Sequence, residues 1–177
     1  MTLIGKVQRT GKRMIERAAA TITDTTTITV PTCEHSGFPL SLQFDDYSCG
    51  LQCTSMVIRY FVGKDLSDTT LRRKLRTTKT NGTEARDIVR VLRDAGLKTV
   101  RRDGAGRTSD ALRHEIRRNA VIIALVPGPD AETHHWVCVY GYEVKSGRLL
   151  FRDPSIAGLR RPFVRGPRIH EYITVRQ

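Results

Sequence analysis

An α+β domain is the fold class this sequence predicts, and three observations carry the prediction. Helical periodicity dominates from Cys49 to Asn119. Strand-type apolar runs replace it from Ala120 onward. No internal repeat and no low-complexity tract, apart from one Thr-rich stretch, suggests another architecture. Helices followed by strands argue for segregated layers, with a helical layer packed on an antiparallel sheet.

The elements follow in chain order. Over residues 1–20, Ile4, Val7, Gly11, Met14, Ile15 and Ala18 fall on one helical face, with Lys6, Arg9, Lys12, Arg13 and Arg17 on the rest. This basic amphipathic helix suits an anionic membrane or a partner protein, or packs on the domain. Residues 21–31 are Thr-rich and extended, ending at Pro31. Residues 32–42 contain Gly37 and Pro39 and predict a loop. The expected division is therefore 1–37, an N-terminal helix and extended segment, and 38–177, the core domain.

Leu51, Met56, Val57, Tyr60 and Phe61 predict a helix over Cys49–Val62, stopped by Gly63. A second follows Ser67 over 68–76, with Leu71 and Leu75 inward. A third spans Thr83–Ala95, capped by Thr83 and closed by Gly96. A fourth, over Ser109–Asn119, carries Leu112 and Ile116. The strands expected are Ala120–Val126, His135–Tyr142, Arg148–Arg152 and Glu171–Val175, with a turn at Lys145-Ser146-Gly147 joining the second and third.

The 177 residues suit one core domain. There is no apolar run of about 18 residues or more, which excludes a transmembrane helix of the ordinary kind. The basic N-terminus lacks the roughly 7–15-residue apolar stretch of a signal peptide. The expected location is cytoplasmic, with signal-less secretion as the alternative. Cys33, Cys49, Cys53 and Cys138 lack zinc-ligand spacing and are expected as free thiols, with no metal and no cofactor. Net charge is +12, and 23 Arg outnumber 7 Lys. That balance suits an acidic peptide or protein substrate. The basic residues are scattered rather than massed, which favours solvated surface Arg over a nucleic-acid face.

The chemistry starts at Cys49, where the polar turn Asp45-Asp46-Tyr47-Ser48 meets an apolar helix. A thiol at a helix N-terminus sees the positive end of the macrodipole, which favours a nucleophilic thiolate. Gly50 is expected to leave room for a substrate backbone. Gln43, six residues before Cys49, can donate its amide to a developing oxyanion, together with the Cys49 N–H. A cysteine nucleophile needs an imidazole base, and His134-His135 stands at the entry to an apolar strand. Asp153, ahead of Pro154, ends the next strand. Antiparallel pairing through the turn brings it within a few positions of His135. His135 is preferred over His134, and Trp136 is expected to shield the pair from water.

Gln43, Cys49-Gly50, the helix with Cys53 and Met56, Gly82-Thr83, Ala95-Gly96-Leu97, His135-Trp136-Val137 and Asp153-Pro154 occur in an order that resembles the bacteriocin-processing (double-glycine leader) cysteine peptidases. The resemblance covers about residues 41–165. It implies a papain-like fold, with the nucleophile Cys on a helical layer and His and Asp on an antiparallel sheet. It also implies Gln43 as oxyanion donor, Cys49 as nucleophile, His135 as base and Asp153 as orienting acid. Family members are often the N-terminal domain of an ABC exporter, whereas a standalone domain is expected here. Ser48 stands where the family commonly has Asp, and Leu51-Gln52 where it has a Pro-Ala-like pair. No Gly-Gly pair occurs in the chain, so self-cleavage of that type is not expected.

The expected function is a cysteine peptidase working through a Cys49 thioester. The alternatives are an acyltransferase, deamidase or transglutaminase-like effector using the same site, or an inactive papain-like binding module.

Overall fold

The computed structural model describes residues 32–104, 109–128, 133–155, 163–164 and 168–177. The amphipathic helix and extended segment expected over 1–31 lie outside these residues. Four helices are described: α1 (Cys49–Val62), α2 (Asp68–Leu75), α3 (Ala85–Asp94) and α4 (Ser109–Arg117). Seven strands form one sheet: β1 (Thr32–Glu34), β2 (Lys98–Asp103), β3 (Val121–Pro127), β4 (His134–Glu143), β5 (Leu149–Arg152), β6 (Phe163–Val164) and β7 (Glu171–Arg176). Their order is β2-β7-β3-β4-β5-β6, with β1 pairing β4, and the pairings are antiparallel. None of the described helices is long and apolar enough to cross a membrane.

The predicted helices form where their periodicity placed them. The first ten residues of α1 are all buried, so this helix is the central rod of the helical layer. Leu51, Met56, Val57 and Ile58 meet Leu71 and Leu75 of α2, Ile88 and Leu92 of α3, and Cys138 and Ile173 of the sheet in one cluster. Burying each of the large α1 side chains contributes roughly 1.5–3 kcal/mol. Gly63 ends α1 at φ 69°, donating to the Arg59 carbonyl at 3.1 Å. The Ser67 hydroxyl accepts from Thr70 N–H at the start of α2.

Four expectations change on folding. Thr83 is not the cap of α3. Glu84 holds that position, while the buried Thr83 shares a 2.8 Å hydroxyl bond with Thr77. The segment 32–42 is not all loop, because Thr32–Glu34 extends the sheet against Glu143–Gly141. His35 fastens this strand: its N–H donates to the Tyr140 carbonyl at 2.9 Å, and its Nε2 lies 3.0 Å from the Ala120 carbonyl. The order of helices before strands is interrupted, because β2 lies between α3 and α4 and pairs with β7 along its whole length. Finally, the sheet is covered on both faces. Helices α1, α2 and α3 pack on one side, and Leu112 and Ile116 of α4 pack with Val137, Val139 and Tyr172 on the other.

Candidate active site

Cys49 is the first residue of α1 and is 6% exposed. The turn before it is organised by the Asp45 carboxylate, which accepts the Tyr47 N–H at 3.2 Å. Gly50 serves a different purpose from the one expected. A Cβ at this position would stand 2.7 Å from Thr83 Cβ and 2.8 Å from Trp136 Cδ1. The missing side chain therefore makes room for the fold, and the helix start is pressed against α3's leading residues and β4. Trp136 seals the same seam, donating from Nε1 to the Thr83 carbonyl at 2.9 Å. It is a core residue of the α1–β4 contact.

His135 sits near the start of β4, and Asp153 is the first residue after β5. The β4–β5 register shifts between Val139 and Gly141, leaving Tyr140 as an extra residue. Beyond this bulge Cys138 pairs with Arg152, so continuing the ladder puts Asp153 opposite Val137, two positions from His135. From there its carboxylate reaches back, and His135 Nε2 lies 2.7 Å from Asp153 Oδ1. The Ser155 N–H donates to the same oxygen at 2.8 Å. The imidazole also lies beside the Cys49 thiol, which helps raise its pKa. With Nε2 committed to Asp153, Nδ1 is the ring nitrogen left for sulfur.

Burial opposes the charged form of His135, but the hydrogen bond to Asp153, the neighbouring Cys49 and the negative charge of both more than offset it. Its pKa rises from the ordinary 6.5 to about 9. Burial likewise pushes Asp153 up, yet the bond to His135, the imidazolium charge and Ser155 hold it below the usual carboxylate range. The imidazolium therefore persists through neutral pH.

Gln43 is tied into this site through its backbone, its N–H donating to the Pro154 carbonyl at 2.8 Å. The residue expected as an oxyanion donor is thus anchored beside Asp153. Its Nε2 donates to the Asp45 carbonyl at 2.9 Å, while its Oε1 is buried and accepts no hydrogen bond from the described residues.

The neighbouring candidates fall elsewhere. His134 is exposed and packs edge-on against His170, with ring centroids 4.4 Å apart. Cys53 and Cys138 are fully buried, with the Cys138 thiol pointing to the Cys53 carbonyl at 3.7 Å. Burial pushes the Cys53 thiol well up, and its bond to Cys138 adds to this. Arg160, Arg161 and Arg165 lie outside the described residues, and Arg168 is exposed. Among the described residues, no group of three or more His, Cys, Asp or Glu side chains is placed to hold a metal. The Asp45–Arg72 ion pair, at 2.8 Å, escaped the sequence. An Asp two residues before Tyr47 does carry a turn signal, but nothing local links it to an Arg 27 positions on.

The sequence model of the Peptidase C39 family matches residues 37–161, a span that holds Gln43, Cys49, His135 and Asp153. No curated protein matches the sequence. Several solved structures share the fold. The peptidase domain of Streptococcus ComA, a bifunctional ABC transporter involved in a quorum-sensing pathway, aligns with a TM-score of 0.59 at 20% identity, over 78% of this chain and 97% of that one. A double-glycine-motif protease from an AMS/PCAT transporter, solved with its leader peptide, gives 0.57 at 17% identity, over 78% and 91%. A C39-like peptidase from Bacillus anthracis gives 0.57 at 13% identity, over 83% and 98%.

Proposed function

Because this chain belongs to the Peptidase C39 family of cysteine peptidases, with the papain-like α+β fold its structure displays, we propose that it hydrolyses a peptide or protein through a thioester on Cys49. The observation that carries this reading is the position of His135, which meets Cys49 on one side and Asp153 on the other. The thiol proton already resides on the His135 imidazolium, at Nδ1, and the sulfur attacks the scissile carbonyl. The Cys49 N–H and the free Nε2–H of Gln43 donate to the oxyanion. Collapse breaks the C–N bond, and the imidazolium gives its proton to the departing amine. A water deprotonated by His135 then hydrolyses the thioester. Asp153 holds the ring and stabilises its charge throughout.

The PCAT-type neighbour binds a leader peptide, so a peptide carrying a Gly-Gly cleavage site is the first substrate to try. Mass spectrometry after incubation is expected to show two fragments, and acid quenching is expected to trap the acyl group on Cys49. An uncut peptide about one dalton heavier would instead mark a deamidase. Failure of Cys49 to react faster than Cys33 with iodoacetamide, with no acylation, would leave a binding scaffold.

The pH profile follows from His135. The leaving amine needs the imidazolium, which is lost as pH rises through about 9, so kcat/KM is expected to fall on the alkaline side near that value. Asp153→Asn keeps a hydrogen-bond acceptor but removes the charge that raises the pKa. The alkaline limb is then expected to move to lower pH. An unmoved limb would show that Asp153 does not charge-couple to the reacting imidazole.

A further inference from the structure

The amide of Gln43 has two dissimilar ends, and only one can stabilise an oxyanion. The Asp45 carbonyl, 2.9 Å from Nε2, selects that end. Turned over, the amide would set two carbonyl oxygens against each other and bury Nε2 in the slot now filled by Oε1. The direction of the donor thus depends on where the Asp45 carbonyl points. That carbonyl is steered by its own side chain, held by Tyr47 N–H at 3.2 Å and by Arg72 Nη2 at 2.8 Å. Arg72 comes from α2 and lies over the Tyr47 ring, 5.1 Å from its centroid. It therefore grips both ends of the Asp45–Tyr47 turn from outside the loop.

We propose that Arg72 is a positioning residue for the peptidase reaction, acting through Asp45 to aim the Gln43 amide at the oxyanion. The inference rests on Gln43 being an oxyanion donor. Stability does not account for the pair, because its side chains are 34% and 27% exposed and such ion pairs contribute little to the fold.

Two reagents separate aiming from general damage. Acylation of Cys49 by p-nitrophenyl acetate passes through a tetrahedral oxyanion. Alkylation by iodoacetamide is a displacement at carbon and makes none. Gln43→Ala is expected to slow acylation ~100- to 1,000-fold. Arg72→Ala is expected to slow it about 10- to 100-fold, with alkylation and melting temperature nearly unchanged. Arg72→Lys, which can still reach Asp45, should recover part of the loss. In a Gln43→Ala background, Arg72→Ala should cost no more than about twofold, because the group it aims is gone.

Equal loss of acylation and alkylation in Arg72→Ala would overturn the proposal, as would an undiminished Arg72 effect in the Gln43→Ala background. Normal acylation by Gln43→Ala would instead remove Gln43 as donor, and the proposal with it; that single variant tells the two failures apart. Should Arg72→Ala fold poorly, Asp45→Asn removes the same ion pair and enters the same cycle.

Discussion

Replacing Cys49 with Ala is expected to abolish peptide turnover, by at least about 10⁴-fold, in a protein that stays folded. The size of the effect follows from the absence of a substitute. Cys53 is a full helical turn further along α1, has no exposure, and its thiol is pushed well up by burial. Cys138 faces the same interior. Neither can present sulfur to a carbonyl held at the start of α1. The structural cost is small, because the substitution removes one sulfur at the first residue of the helix and keeps the large buried side chains from Leu51 onward. Single-turnover kinetics and circular dichroism, measured together, check both halves. Full activity in a folded Cys49→Ala protein would sink the assignment.

His135→Ala is expected to cost about 10⁴-fold in kcat/KM, whereas His134→Ala leaves it within about threefold. Two adjacent histidines of identical chemistry are separated here by orientation alone. The His135 side chain is 16% exposed and lies 2.7 Å from Asp153, while His134 is exposed and stacks edge-on against His170. Removing His135 also strips Asp153 of its main partner. A modest loss of stability, about 1–3 kcal/mol, should accompany the kinetic loss and be visible in a denaturant titration. Comparable activity losses in the two variants would mean that His134 also carries the proton.

The helices α1, α2, α3 and α4 were legible because their apolar spacing is a local property, and four strands were legible for the same reason. The strands that were not legible are those whose stability comes from distant partners. Strand β2 is exposed along most of its length and has no hydrophobic alternation. It exists because β7, some seventy positions later, supplies its hydrogen bonds. The three residues of β1 are held by β4 and by His35. Gly50 was misread for a related cause: a glycine's neighbours cannot be seen in sequence, and here they are Thr83 and Trp136 rather than open space.

By itself the sequence determined the order of the chemistry. A cysteine begins a helix, a glutamine lies six residues before it, and a histidine and an aspartate stand at the ends of successive strands. Residue type and periodicity carry that information without any knowledge of distance. Only the tertiary structure decided which histidine lies beside Cys49, how a bulge at Tyr140 lets Asp153 reach it, and that Asp45 touches both the Gln43 amide and Arg72. Each of these depends on a register or an angle between segments far apart in the chain. Packing across the whole domain sets such relations, and no local pattern encodes them.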